Sequence, residues 1–368
     1  MIPGSFRKYL QLLFLSFLPF FISTAALKAQ NSIPNTLKAT KTNENIVIDG
    51  DLDEDAWDDA QGITNFTQRE LDNGKPASEN THVIILYDSE YLYIGIEAND
   101  SEPGKIIATE SRRDFDWGSD DNIEIVLGPF NNKRDAYLFV INPNGAIADA
   151  LISDDGKTTN KDWNGVWQAK VTIDEEEGWE AEIAIPFSTL KFPENNEQTW
   201  ALNIERNIRR KNEQVLWQGW SRDYDLENIS QAGQLTGLYN ISGKKRWQFK
   251  PFITAGLEHR NSNPNTGQFQ LGGDINYLIS PQMKLNLTLN TDFSQVEYDR
   301  EQINLTRFSV LFPEKRDFFL EGQKLFEFNL GDGAQTFYSR RIGLTGNEDS
   351  VLTDIQAARR RKHEPSHP

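Results

Sequence analysis

"THVIILYDSEYLYIGIEAND", Thr81 to Asp100, holds two runs rich in β-branched and aromatic residues, divided by Asp88, Ser89 and Glu90. Each run has the length and composition of a β-strand, and the break between them is polar turn chemistry. Outward from here the same unit recurs as "DNIEIVLGPF" (121–130), "AYLFVINPNG" (136–145), "VWQAKVTID" (166–174), "GWEAEIAIPF" (178–187), "TWALNIERNI" (199–208) and "QVLWQGWS" (214–221). No long segment between them keeps a helical period. Many short strands at this spacing predict an antiparallel β-sandwich. Tyr91, Tyr93, Phe139 and Trp179, inside the strands, are expected in its core.

The chain has 368 residues, enough for about two domains with substantial cores. Its first residues belong to neither. "MIPGSFRKYLQLLFLSFLPFFISTAALKAQ" has a basic start at Arg7 and Lys8, an apolar stretch from Tyr9 to Ile22, and small residues before a cut at Ala29 or Ala26. This predicts a secretory signal over 1–29, since a spanning helix needs about 20 apolar residues and Pro19 interrupts this stretch. There is no cysteine, which excludes disulfide staples, an N-terminal lipid-modified cysteine and thiolate chemistry. A net charge of −17 argues against a nucleic-acid partner, for which a basic face is expected.

Acids crowd around one tryptophan in "IVIDGDLDEDAWDDA", Ile46 to Ala60. A calcium loop of alternating Asp needs Gly at its sixth place and Glu at its twelfth. Counting from Asp49 puts Glu54 and Ala60 there, from Asp51 Ala56 and Gly62, and from Asp53 Asp58 and Thr64. None fits. The stretch is expected instead to form a short strand, "NIVIDG", an Asp-Gly turn, and a helical turn that buries Leu52, Ala56 and Trp57.

After "SGKKR" the pattern changes. In "WQFKPFITAGLE" Trp247, Phe249, Pro251, Ile253, Ala255 and Leu257 alternate with polar residues, and in "QFQLGGDINYLI" the apolar set is Phe269, Leu271, Ile275, Tyr277 and Ile279. "MKLNLTLNTDF" is the clearest case, with Met283, Leu285, Leu287, Leu289 and Phe293 set against Lys284, Asn286, Thr288, Asn290 and Asp292. Runs of about 11 residues with one greasy and one polar face, joined by a long (His259 to Gly267) and a short (Ser280 to Gln282) connection, match outer-membrane barrel strands. Closure takes about eight strands, so the barrel is expected to be incomplete, in a truncated or frame-shifted copy of a longer protein.

"VIDGDLDEDAW", "YDSEYLYIGIEANDSE", "DWGSDDNIEIVLGP", "YLFVINPNG" and "GWEAEIAIPFSTLKF", in this order and spacing, resemble the family-nine carbohydrate-binding module, an antiparallel β-sandwich. The resemblance covers about 46–238 and makes Trp57 a packing residue of the family's entry motif. "NTDFSQVEYDREQINLTRFSVLFPEKRDFFLEGQKLFEF" followed by "FYSRRIG" resembles the start of an uncharacterised outer-membrane barrel family that often accompanies such modules. The expected fold is all-β: signal peptide 1–29, carbohydrate-binding-module-like sandwich 36–242, the first part of an outer-membrane-type β-barrel over 243–345, and a disordered or aberrant tail 346–368.

In the family, sugar lies between two exposed aromatic planes while polar groups bond its hydroxyls. The resemblance places the first plane at Trp117 and the polar contact at Glu124. Val140 stands where the family has an arginine. The loop "RDYDLENISQAGQL" lacks the second tryptophan, leaving Tyr224 as its aromatic candidate, with Trp163 a substitute wall and Trp167 a core residue. Structural calcium, implied by some members, has Asp116, Asp120 and Asp121 as candidate ligands, with Asp114 and Glu124 nearby; no cofactor is required.

Four histidines, His82, His259, His363 and His367, form no zinc or triad pattern. Glycoside hydrolysis needs two facing carboxylates, and acids here are too many to pick a pair. The leading expectation is an exported protein of the outer membrane whose sandwich binds an oligo- or polysaccharide for catabolism. The alternatives are a docking or gating domain for the barrel that binds no sugar and, third, a glycoside hydrolase.

Overall fold

The computed structural model describes residues 35–241, 247–260, 263–280 and 283–290. The expected signal peptide, the expected barrel segment from 291 onward and the tail lie outside them. Two sheets make up the first part. One runs in the order β1 (Thr36–Lys38), β15 (Gly233–Tyr239), β13 (Glu197–Ile208), β7 (Asn122–Gly128), β8 (Ala136–Ile141), β9 (Ile147–Ser153), β10 (Thr158–Asn160). Beside the far half of β13 it adds β14 (Glu213–Leu216) and then β4 (Thr67–Glu70). The other runs β11 (Gln168–Asp174), β12 (Gly178–Pro186), β6 (Tyr91–Asn99), β5 (Thr81–Tyr87), β2 (Thr40–Lys41), with β3 (Gly62–Ile63) on β5. Pairing is antiparallel as expected, except that β1 lies parallel to β15 and β2 to β5. β14 ends at Leu216, so "QVLWQGWS" is a shorter strand than its composition suggests.

These strands are buried on both faces, which is why they read as apolar runs. All seven residues of β7 are buried. Val83, Ile85, Leu92, Ile94, Ile96, Ile123, Ile125 and Leu127 fill the interior. Their neighbours on the outer faces are covered by loops: Ile84, Leu86, Tyr93 and Ala184 lie beneath Ile46, Leu52 and Trp57, and Val126, Leu138, Val140, Ala148 and Ala150 beneath Phe115, Leu226 and Ile229. Phe139, Trp167 and Trp179 are buried, as expected of core residues. Arg206 of β13 ties the sheets together, donating from Nη1 to Asn80 O (2.9 Å) and Thr81 Oγ1 (3.0 Å) and from Nη2 to Asn99 O (2.7 Å).

The acid-rich stretch near the start is a cover for the second sheet. Glu182 Oε2 accepts the backbone N–H groups of Asp49 and Gly50, both at 2.9 Å, and Glu180 accepts that of Leu52 at 3.2 Å. "NIVIDG" is not a strand: the N–H groups of Val47, Asp49 and Gly50 go to the carboxylates of Glu54 and Glu182 rather than to a ladder. The expected helical turn is present as α1 (Asp55–Asp58), with Trp57 buried. Leu52 and Trp57 press on Gly95 of β6, where a Cβ would meet each at 2.9 Å.

A third sheet stands in the order β16 (Trp247–Arg260), β17 (Asn263–Ser280), β18 (Met283–Leu289), antiparallel throughout. β16 and β17 have 14 and 18 residues, longer than their alternation suggested. The long connection expected from His259 to Gly267 shrinks accordingly, because β17 begins at Asn263. Register aligns Trp247 with Tyr277 and Tyr277 with Leu285, and aligns Phe249 with Ile275 and Ile275 with Leu287. Trp247, Phe249, Ile253, Phe269, Leu271, Leu285, Leu287 and Leu289 are 52–71 % exposed, whereas Asn276, on the opposite face, is buried. The three strands form an open sheet, and no closed barrel is seen among the described residues. No helix among them is long and apolar enough to cross a membrane, which says nothing of strands.

Gly50 combines φ +108° with a Val171 carbonyl carbon 2.9 Å from where a Cβ would stand. Gly50→Ala is expected to lower stability by about 1–3 kcal/mol, while Gly74→Ala, at φ +84° with open space around it, lowers it less. Thermal melts of the two variants measure the difference.

Candidate functional site

On the outer face of the first sheet a strip of polar residues runs beside an apolar cluster. β13 carries Asn203, Glu205 and Asn207 at alternate places, and β7 pairs Glu124 directly with Glu205 and Asn122 with Asn207. Asn207 Nδ2 donates to Glu205 Oε1 (2.8 Å), Asn122 Oδ1 (3.0 Å) and Glu124 Oε1 (3.2 Å), and Gln214 Nε2 of β14 donates to Glu205 Oε1 at 2.6 Å. Like charges directly opposite on neighbouring strands repel. Burial pushes Glu124 well above the usual carboxylate range and the nearby Glu205 and Glu227 raise it further, against Arg209 and Lys161. Burial likewise raises Glu205, against its hydrogen bonds from Gln214 and Asn207. Both acids are raised, chiefly by burial.

Trp117 stands beside this strip, half-buried and packed on the apolar part of the face with Phe115, Leu226 and Ile229. Its position is set through its own carbonyl, which accepts Asn122 Nδ2 (2.6 Å) and Arg209 Nη2 (3.3 Å). The Lys161 ammonium lies over its ring, 3.6 Å from the centroid. The loop carrying Tyr224 borders the strip: Arg69 of β4 donates from Nη1 to Gln214 Oε1 (2.7 Å) and from Nε to Tyr224 O (2.6 Å), and pairs with Asp225. Tyr224 itself is 38 % exposed. Trp117, Glu124 and Tyr224 are thus brought to one side of one sheet.

Trp163 is not. It is buried against Tyr137 and Phe139, ring centroids 5.0 and 6.0 Å away, on the face of β8 opposite to Val140 and Glu124. Asp149 fixes its loop, accepting Trp167 Nε1 (2.7 Å) and Gly165 N (3.0 Å) and pairing with Arg113. Trp163 is therefore an interior residue rather than a substitute wall, since alternation along β8 sends Tyr137 and Phe139 inward.

The acids chosen as calcium ligands serve elsewhere. Asp120 accepts the backbone N–H groups of Thr109 and Glu110 and Asn142 Nδ2, each at 2.9 Å, and Thr109 Oγ1 at 2.6 Å. Burial alone would raise Asp120, yet these bonds hold it below its ordinary value. Asp121 accepts Arg209 N at 2.7 Å, and Asp116 is exposed. Among the described residues no three acidic or histidine side chains gather as a metal site.

Glu205, Asn207 and Gln214 went unread in the sequence, although polar residues at every second place of "ALNIERNI" mark a polar face. Glu124 and Glu205 project side by side from adjacent strands of one sheet.

A β-sandwich with an aromatic plate beside directional polar groups on one sheet face is built as a ligand-binding module. The chain belongs to the family described as carbohydrate family 9 binding domain-like, whose model matches residues 48–236, just over half of it. A second model, a domain of unknown function (DUF5916), matches residues 244–367. Similar solved structures include a carbohydrate binding module family 9 from Caldicellulosiruptor kristjanssonii in complex with glucose (14 % identity, TM-score 0.39, covering 55 % of this chain and 94 % of that one) and with cellotriose (15 %, 0.39, 55 % and 92 %). Another is a putative carbohydrate-binding protein from Bacteroides uniformis ATCC 8492 (14 %, 0.44, 55 % and 98 %). No curated protein sequence matches the chain.

An acid raised by folding stabilises the fold below its ordinary value and loses that contribution as pH climbs through the raised one. Glu124 and Glu205 are raised, Asp149 goes from 3.8 to about 6 and Glu182 from 4.5 to about 7, burial being the chief cause in each. Melting temperature is expected to fall as pH rises from about 4.5 to about 7. Glu205→Gln should make that fall shallower in a pH series of melts.

Proposed function

We propose that the sandwich binds oligo- or polysaccharide on the outer face of its first sheet, within an exported protein of the outer membrane that serves polysaccharide catabolism. The observation that carries this is Trp117, packed on the apolar cluster of the face, standing beside the polar strip of Glu124, Glu205 and Asn207. A pyranose stacks its apolar side on the ring while directional groups bond its hydroxyls. Membership of the carbohydrate family 9 binding domain-like family supports the same reading. No catalytic role is assigned to the face.

The membrane part of the proposal is supported by the third sheet, whose apolar face, with Trp247, Phe249, Leu271, Leu285 and Leu287, stands open. An open apolar face suits a wall with lipid outside. Backbone edges in lipid must be paired, so β16–β18 would be one section of a barrel closed by further strands.

One observation favours the second reading, a docking or gating domain without sugar binding: Lys161 already covers the ring of Trp117. Titration calorimetry of the full-length chain in detergent against cello- and xylo-oligosaccharides decides between them. Saccharide binding that weakens about tenfold or more in Trp117→Ala, with the fold checked by circular dichroism, is the expected result. No heat from a folded protein with any of the sugars would leave the docking reading. The same titration with calcium and with chelator reads any structural ion as a shift in melting temperature.

A further inference from the structure

The carboxyl pair at the centre of the face lacks a cation. Among the described residues neither Glu124 nor Glu205 takes part in an ion pair. Their donors are neutral amides, Asn207 Nδ2 for both and Gln214 Nε2 for Glu205. Glu124 is 7 % and Glu205 3 % exposed, yet the Oε2 of each accepts no hydrogen bond and is not sealed from solvent. On the β8 side Glu124 faces Val140, an aliphatic residue. Arg209 and Lys161 reach Glu124, and Arg69 reaches Glu205, only through space, and Glu227 opposes them. Buried carboxylates in this state are costly unless an opposite charge arrives.

A second feature shows what fits next to them. The open side of the Trp117 ring already carries an ammonium group, that of the exposed Lys161, at 3.6 Å. An ammonium is thus accommodated on the ring, where it also acts through space on Glu124.

The geometry points to a saccharide with a free amine, a hexosamine unit, as the ligand class of this face, its ammonium held between the carboxyl groups of Glu124 and Glu205. This rests on the saccharide reading above and narrows it. The sugar ring stacks on Trp117, displacing Lys161, and the ammonium donates to the two open Oε2 atoms. A proton held by either acid leaves to solvent as the ammonium enters. A neutral hydroxyl makes weaker bonds to the same oxygens, and an N-acetyl group brings no charge and more bulk.

The test is calorimetry of the full-length chain at about pH 6, where a sugar amine is protonated, with the trimer of glucosamine, the trimer of N-acetylglucosamine and cellotriose. The amine trimer is expected to bind about tenfold or more tightly than either neutral trimer, with the ratio falling toward one in Glu205→Gln. Should that variant fail to fold, Glu124→Gln takes its place, and the comparison of free with acetylated trimer needs no variant. Cellotriose binding as tightly as the amine trimer would overturn the hexosamine assignment and leave the saccharide reading standing. Silence from all three with a folded protein would overturn both.

Discussion

A carboxylate taken out of water must be given donors, and this sandwich uses that requirement to hold its loops. Glu182 collects the Asp49–Gly50 turn, Asp120 the segment at Thr109 and Glu110, and Asp149 the loop of Gly165 and Trp167 with Arg113. Each is a buried acid on or beside a strand whose bonds reach a segment distant in sequence. Loops fixed in this way cover the outer faces of the central strands, so β5, β6, β7, β8 and β12 are almost wholly buried. Remove the donors and the acid is stranded; remove the acid and the loop loses its anchor.

Glu124 and Glu205 break this rule, and that makes their strip the candidate site. They share amide donors with each other instead of anchoring a distant loop, and each keeps an open oxygen. Stability is lost where the two acids repel, and such local cost is a mark of binding sites. Arg209 and Asn122 meanwhile hold the carbonyl of Trp117, so the aromatic plate is positioned by the same strands that carry the acids.

The third sheet obeys a different constraint. Its alternation is as regular as that of any half-buried sheet, but its apolar side stands open. The central strands of the sandwich, by contrast, are buried on both sides because loops cover them. One β-strand alphabet thus produces two surfaces, decided by what lies over each face.

The strands and the all-β class were legible because β-branched and aromatic runs between turn residues have few other structures open to them. Trp57 as a packing residue was legible too, since no register of acids around it made a metal loop. The site was half legible: Trp117 and Glu124 stood out, while Glu205 and Gln214 come from segments about 80 and 90 residues further on, and strand pairing alone brings them together. Trp163 misled because a loop residue has no period to show which face it will reach. "NIVIDG" misled because its composition is that of a strand, while its donors were claimed by Glu182 and Glu54. By itself the sequence determined which segments are strands and which side chains are apolar, both local properties of the chain. Which acids meet, which face stays open and which tryptophan stands beside them was decided only by tertiary structure, because register and loop cover join residues that the sequence keeps far apart.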